Sequence, residues 1–284
     1  MTYQELKEQT LREFKSCVKK FKDFIFSTRT PWDKQGKLDL LYVLGSGSKH
    51  DDLELRFSLR SIEKFCKNYG RIIVVGRKPE WLTNVEFIPC DDDMGSAHKN
   101  MMKKILWAVH HQSCHISDWF VVQADDHFYT RPYDFRKISL YYKGELPTTV
   151  EEYEKEDQYK ISMVDTYRYL SEKGYPTKNS SMHCGFLFNK TLMMQLEREL
   201  FEPGFFEQYG IESFTVMASA MNKHLHIPYR YRRDCKVGAF LGEKVLIDRI
   251  DGNFCFSIYD LAFQYALLPI LQRWYPEPSK YEKF

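Results

Sequence analysis

The apolar run DWFVVQA (118–124), followed at once by Asp125 and Asp126, constrains this chain more than any other feature. A short, continuous apolar run reads as a strand buried on both faces. Such strands normally end in a neutral turn. Adjacent carboxylates at the carboxyl end are costly unless they meet solvent or a cation. The chain must therefore cover this strand with other layers and leave its carboxyl end open.

The preceding segments supply those layers. LDLLYVLG (38–45) is a second buried strand, broken by the Gly45-Ser46-Gly47-Ser48 loop. Asp51 or Asp52 can cap the helix that follows, whose stripe is Leu55, Leu59, Ile62 and Phe65. RIIVVG (71–76) and VEFIPC (85–90) are strands, and 97–111 is a helix. The alternation predicts an α/β fold with a mostly parallel central sheet and helices on both faces. Ligands of such sheets bind at the carboxyl ends of the strands, which places the 45–52, 91–96 and 125–131 loops around one crevice.

The second half is less regular. The acidic segment 143–160 reads as an exposed loop or short helix, SMHCGFLFN (181–189) as a strand, and TLMMQLEREL (191–200) and IESFTVMASAMNKHL (211–225) as helices. A final helix is expected over about 257–274. Ahead of everything, Leu11, Phe14, Val18, Phe21 and Ile25 repeat at helical spacing within 4–27. The organisation expected is one domain over 1–284: a helical extension (1–37), a first binding half (38–135) and a second half carrying the acceptor side and the C-terminal helices (136–284).

Composition narrows the function classes. Lys and Arg number 41 against 39 Asp and Glu, a net charge of +2, which argues against a general nucleic-acid coat. The basic run over 228–236 keeps a local nucleic-acid-binding module open as an alternative. No stretch of ~18 apolar residues is present, so no transmembrane segment is expected. The polar N-terminus lacks a secretory layout. The seven scattered cysteines contain no CxxC pair, the pattern of reduced thiols, and a cytoplasmic location is the expectation.

Several groups can carry chemistry. Asp125 and Asp126 suit a hard divalent cation shared with substrate phosphates. The glycines of the Gly45–Lys49 loop let backbone approach a ligand. Asp91-Asp92-Asp93 precedes a helix start, GSAHKN (95–100), that favours an anion, with Lys99 to neutralise it. His110, His111, Cys114 and His115 share helical spacing, but no further zinc ligand accompanies them, so they read as a polar helix end. His183, at the start of a strand, is either a metal or phosphate ligand or a structural histidine. Arg230, Arg232, Arg233 and Lys236 form either an anion contact or a solvated turn.

These features resemble the GT-A class of nucleotide-sugar glycosyltransferases, whose DxD motif binds a divalent metal and the donor diphosphate. The matching triplet is Ala124-Asp125-Asp126, with alanine at the first position. ELRFSLRSIEKFCKNYGRIIVVGRKPEWL (54–82) is also similar to Stealth-type sugar-phosphate transferases, as are ADDHFYTRP (124–132) and, more weakly, SMHCGF. LGSGSKHDD stands where that family carries a tryptophan-and-aspartate loop. The resemblance covers roughly 38–135. It implies a single GT-A-like, Rossmann-like domain whose 38–135 half binds a nucleotide sugar, with a UDP-sugar as the expected donor. Mn2+ or Mg2+ would be held by Asp126, with His183 as a further ligand. Gly45, Ser46, Gly47, Lys99, Asp125 and Arg232 would contact the donor, and Glu212 would be the general base. The acceptor could be a saccharide, a lipid-linked glycan, a protein or a modified nucleic-acid base. Transfer of sugar 1-phosphate is the alternative reaction.

Overall fold

Strand β1 (Leu38–Leu44) forms the axis of the molecule, its LDLLYVL side chains almost entirely buried. The computed structural model describes residues 30–45, 48, 50–152, 155, 157–200, 211–238, 242–259, 262–263 and 267–283, with side chains to 197 in the helix that ends at 200. The expected helix over 4–27, and Ser46 and Gly47, lie outside the described residues.

From β1 the chain passes through α1 (Leu53–Phe65) to β2 (Tyr69–Gly76), and then to β3 (Glu86–Pro89). Helix α2 (Ala97–His110) then carries it back to β4 (Trp119–Gln123), on the other side of β1. A fifth strand, Phe186–Asn189, pairs antiparallel with β4. The five-stranded sheet thus runs from that strand through β4, β1 and β2 to β3, with every other pairing parallel. This is a mixed α/β, Rossmann-like architecture with a mostly parallel central sheet, as the sequence pattern predicts. Direction around β1 reverses between β2 and β4, which makes the carboxyl ends of β1 and β4 the topological switch point.

Further elements refine the sequence reading. Strand β5 (Phe128–Tyr129) follows β4 immediately. Helix α3 (Gln158–Glu172), capped by Asp157, extends well beyond the expected loop over 143–160. The strand Phe186–Asn189 is β6, and helices α4 (Lys190–Leu200) and α5 (Ser213–Leu225) follow as the sequence suggests. The expected final helix over 257–274 is corrected. Cys255–Ile258 is a strand (β8) that pairs parallel with β7 (Lys236–Val237) and antiparallel with β5. Helix α6 (Glu243–Ile250) precedes β8, and α7 (Leu268–Trp274) comes later.

The buried side chains form two clusters. One surrounds the central sheet. The other packs Phe128, Val237, Leu246, Phe256, Phe263 and Leu271 around the small β7-β8-β5 sheet. The six described cysteines are all free. No described helix is long and apolar enough to cross a membrane.

Candidate functional site

A cleft of about 630 Å³ opens at the switch point. Its walls come from the ends of β1 (Val43, Leu44, Gly45), the segment into α1 (Ser48, His50, Asp52, Glu54), the start of α2 (Gly95, Ser96, Ala97, Asn100, Met101, Lys104) and the end of β4 (Ala124, Asp125, Asp126). Asp92 and Ile258 complete it. All three loops expected around one crevice are represented.

Local sequence explains these placements. Gly76, at the end of β2, has φ +113°, and a Cβ there would lie 2.0 Å from the Leu44 carbonyl oxygen. Its absence lets Lys104 reach in from α2 and donate to that carbonyl at 2.8 Å. Gly95 also takes a positive φ, +72°, to turn the chain into α2. The Ser96 hydroxyl then caps the helix by accepting from the Lys99 amide at 3.2 Å. The N-terminus of α2, with the positive end of its dipole, therefore borders the cleft.

Five carboxylates face this space: Asp52, Glu54, Asp92, Asp125 and Asp126. Two are neutralised locally. Asp52 accepts twice from Arg77, at 2.5 and 2.6 Å. Asp92 lies 2.5 Å from the Lys104 ammonium, which is 2% exposed. Asp126 accepts from the Ile258 amide at 3.3 Å, which ties the acidic strand end to β8. Burial raises the Glu54 carboxyl, although the Ser48 hydroxyl donates to it. Asp125 is pushed up to about 7, first by burial and then by the charges of Asp126 and Glu54. Excess negative charge is thus concentrated where a cation would relieve it.

The donor chemistry fits a hard divalent cation. Two carboxylates on adjacent residues provide oxygen ligands while leaving room for phosphate oxygens and water, the way Mg2+ is commonly held. Among the described residues no group of three or more His, Cys, Asp and Glu side chains forms a closed metal cage.

The other sequence-derived candidates separate. Gly45 lines the cleft, where a Cβ would contact Asp92 at 3.4 Å. Lys99 instead borders a separate hollow with Met94, Lys103, Leu106, Trp107, His110 and Glu197. Arg232 lays its guanidinium over the Phe254 ring, 3.7 Å from the centroid, and is not a wall of the cleft. His183 gives its ring Nδ1 to Asp234, at 2.7 Å. Glu212 is the N-cap of α5: its buried carboxylate accepts from the Thr215 amide at 2.6 Å and does not line the cleft. The supposed histidine helix ends at His110, which pairs with Glu197, and the remaining residues lie in the following turn.

Reasoning from sequence missed Lys104 and Glu54 as cleft residues, and placed His50 there only as part of the 45–52 loop. Lys104 left a signal, because it falls within the buried stripe of α2 beside Asn100, Ile105 and Ala108. His50 left none of its own. Its Nε2 is buried with no hydrogen-bond partner among the described residues, while the ring packs on Phe263, 4.9 Å between centroids.

No protein-family model and no curated protein sequence matches the chain. Among solved structures, the chain is similar to that of a glycosyltransferase involved in the glycosylation of the major capsid of PBCV-1. The identity is 11% and the TM-score 0.36, over 78% of this chain and 92% of that one.

Proposed function

We propose that this protein is a metal-dependent glycosyltransferase of GT-A type, moving a sugar from a nucleotide-sugar donor, with a UDP-sugar expected, to an acceptor hydroxyl. One observation carries the reading: a single cleft at the switch point joins the acidic end of β4 to the N-terminus of α2. A diphosphate entering alone would meet five carboxylates and one lysine already engaged with Asp92. It would be repelled. With a divalent cation on Asp125 and Asp126, the same walls become a diphosphate site.

The chain's own residues then have distinct tasks. Asp125 and Asp126 hold Mn2+ or Mg2+. Ile258, through its amide, fixes the Asp126 carboxylate. The backbone amides at the start of α2 would donate to phosphate oxygens, with Ser96 holding the helix end in shape. Lys104 keeps Asp92 neutralised, so that the wall facing the phosphates is less repulsive. When bound, the metal supplies Lewis acidity for departure of the nucleoside diphosphate.

The test is a panel of nucleotide sugars with and without Mn2+, read by thermal stabilisation and by product analysis. The proposal expects metal-dependent stabilisation and release of a nucleoside diphosphate. Release of a nucleoside monophosphate would instead identify sugar 1-phosphate transfer. Binding that persists in EDTA and weakens steeply with salt would point to a nucleic-acid-binding module.

A further inference from the structure

The cleft makes no use of the basic run over 228–236. Its strand, Tyr229–Tyr231, pairs in parallel with Leu140–Tyr142 and with no other described strand. The ladder continues as the Arg232 amide donates to the Tyr142 carbonyl at 2.9 Å. The other edge of the strand is open. Arginines on an open edge can serve merely to prevent strand addition. Two features here go further: the side chains are sorted by face, and the cations are free.

Alternate residues of a strand face opposite ways. Tyr229 and Tyr231 both pack on Tyr142, with ring planes inclined at 72° and 75°. Arg232 turns to the other face, its guanidinium 5.7 Å from the Tyr141 centroid and 3.7 Å from that of Phe254. Arg230 shares that face by the same alternation. The edge thus carries rings on one side and guanidiniums on the other, and Tyr231 leaves 67% of its surface exposed.

None of Arg230, Arg232, Arg233 and Lys236 pairs with a carboxylate among the described residues. The acid inside the run, Asp234, is taken by Lys143 and His183, at 3.0 and 2.7 Å. Lys236 lies 4.4 Å over the ring of Tyr259, which is 56% exposed. Tyr259 follows Ile258, a wall of the cleft, so this basic and aromatic surface extends to the cleft's rim.

A single strand of nucleic acid has the same division, with phosphates along its backbone and unpaired planar bases beside them. Arginine binds phosphate through its paired N–H groups, and an exposed tyrosine ring offers a stacking face. A duplex keeps its base faces stacked on one another. An acidic polysaccharide has no planar face to offer. A lipid surface calls for exposed aliphatic side chains, and 229–237 contains none. We infer that the open edge over 230–236 binds single-stranded nucleic acid, with phosphates on Arg230, Arg232, Arg233 and Lys236 and a base on Tyr231. The inference stands on this edge and does not depend on the glycosyl-transfer reading.

The experiment titrates the full chain into a labelled oligothymidylate of about 16 nucleotides, read by anisotropy in EDTA between about 50 and 200 mM salt. The wild type is expected to bind with a log–log salt slope of about −3, from four phosphate contacts at about 0.7 each. Replacing two of them, Arg230→Gln with Arg233→Gln, should bring the slope to about −1.4. Tyr231→Ala should weaken binding about 5–140-fold without changing the slope, and Tyr231→Phe should keep wild-type affinity. All variants should melt as the wild type does and take UDP with Mn2+ equally. Absent oligonucleotide binding, an unchanged slope in the double variant, wild-type affinity in Tyr231→Ala, or equal affinity for a duplex or for labelled heparin would each overturn the inference. Oligonucleotide binding by a protein that takes no UDP with Mn2+ would overturn the glycosyl-transfer reading and leave this inference standing.

Discussion

Lys104 holds its ammonium 2.5 Å from the Asp92 carboxylate, at the base of a cleft otherwise dominated by negative charge. The two partners differ in burial, 2% exposed for Lys104 against 26% for Asp92. Removing either one therefore leaves a different residue. Lys104→Met leaves a carboxylate that can still reach water. Asp92→Ala leaves a buried ammonium whose other partner among the described residues is the Leu44 carbonyl. Asp92→Ala is expected to cost about 3 kcal/mol, as when one partner of a buried pair is removed, and Lys104→Met less. Urea denaturation of both variants checks the order.

The raised Asp125 carboxyl gives the metal-free protein a pH dependence. Its folded value of about 7 lies above the usual 3.8, so its contribution to stability is complete below about pH 4 and is lost as pH rises through 7. Asp125→Asn should remove that loss and stabilise the metal-free protein by about 1–2 kcal/mol at pH 8, less than the full linkage because cleft water screens the group. Mn2+ should stabilise the wild type more at pH 8 than at pH 5. Thermal melts at both pH values, with and without Mn2+, give these differences directly.

Glu212 provides a contrasting case. Its carboxylate caps α5 through the Thr215 amide. Glu212→Ala should cost about 0.5–2 kcal/mol of stability, the range for a lost N-cap, and leave turnover on the donor panel unchanged. Parallel denaturation and UDP-release assays on this variant separate a cap from a catalytic base.

The central sheet was legible in the sequence because its strands are continuous apolar runs with sharp ends. LDLLYVL and DWFVVQA each appear as a buried strand in nearly the expected place. The segment from Cys255 was misread because a short apolar run is compatible with both helix and strand. What decides it is non-local: Phe128, Tyr129, Lys236 and Val237 supply strand partners from distant parts of the chain. The acidic wall of the cleft was legible to the same degree. Asp125 and Asp126 declare themselves by following a buried strand. His183 is visible only as a lone histidine until Asp234, 51 residues later, reaches it.

The dependence of nucleotide binding on a divalent cation is the most direct test. Isothermal titration of UDP into the wild type and Asp126→Asn, each with Mn2+ and with EDTA, measures it. Asparagine keeps an oxygen that can accept from the Ile258 amide, so the variant should retain its fold while losing a charged ligand. The expected result is UDP binding by the wild type in Mn2+, loss of binding in EDTA, and loss in Asp126→Asn under both conditions. Equal UDP affinity in Mn2+ and EDTA, or wild-type affinity in Asp126→Asn, would contradict the account.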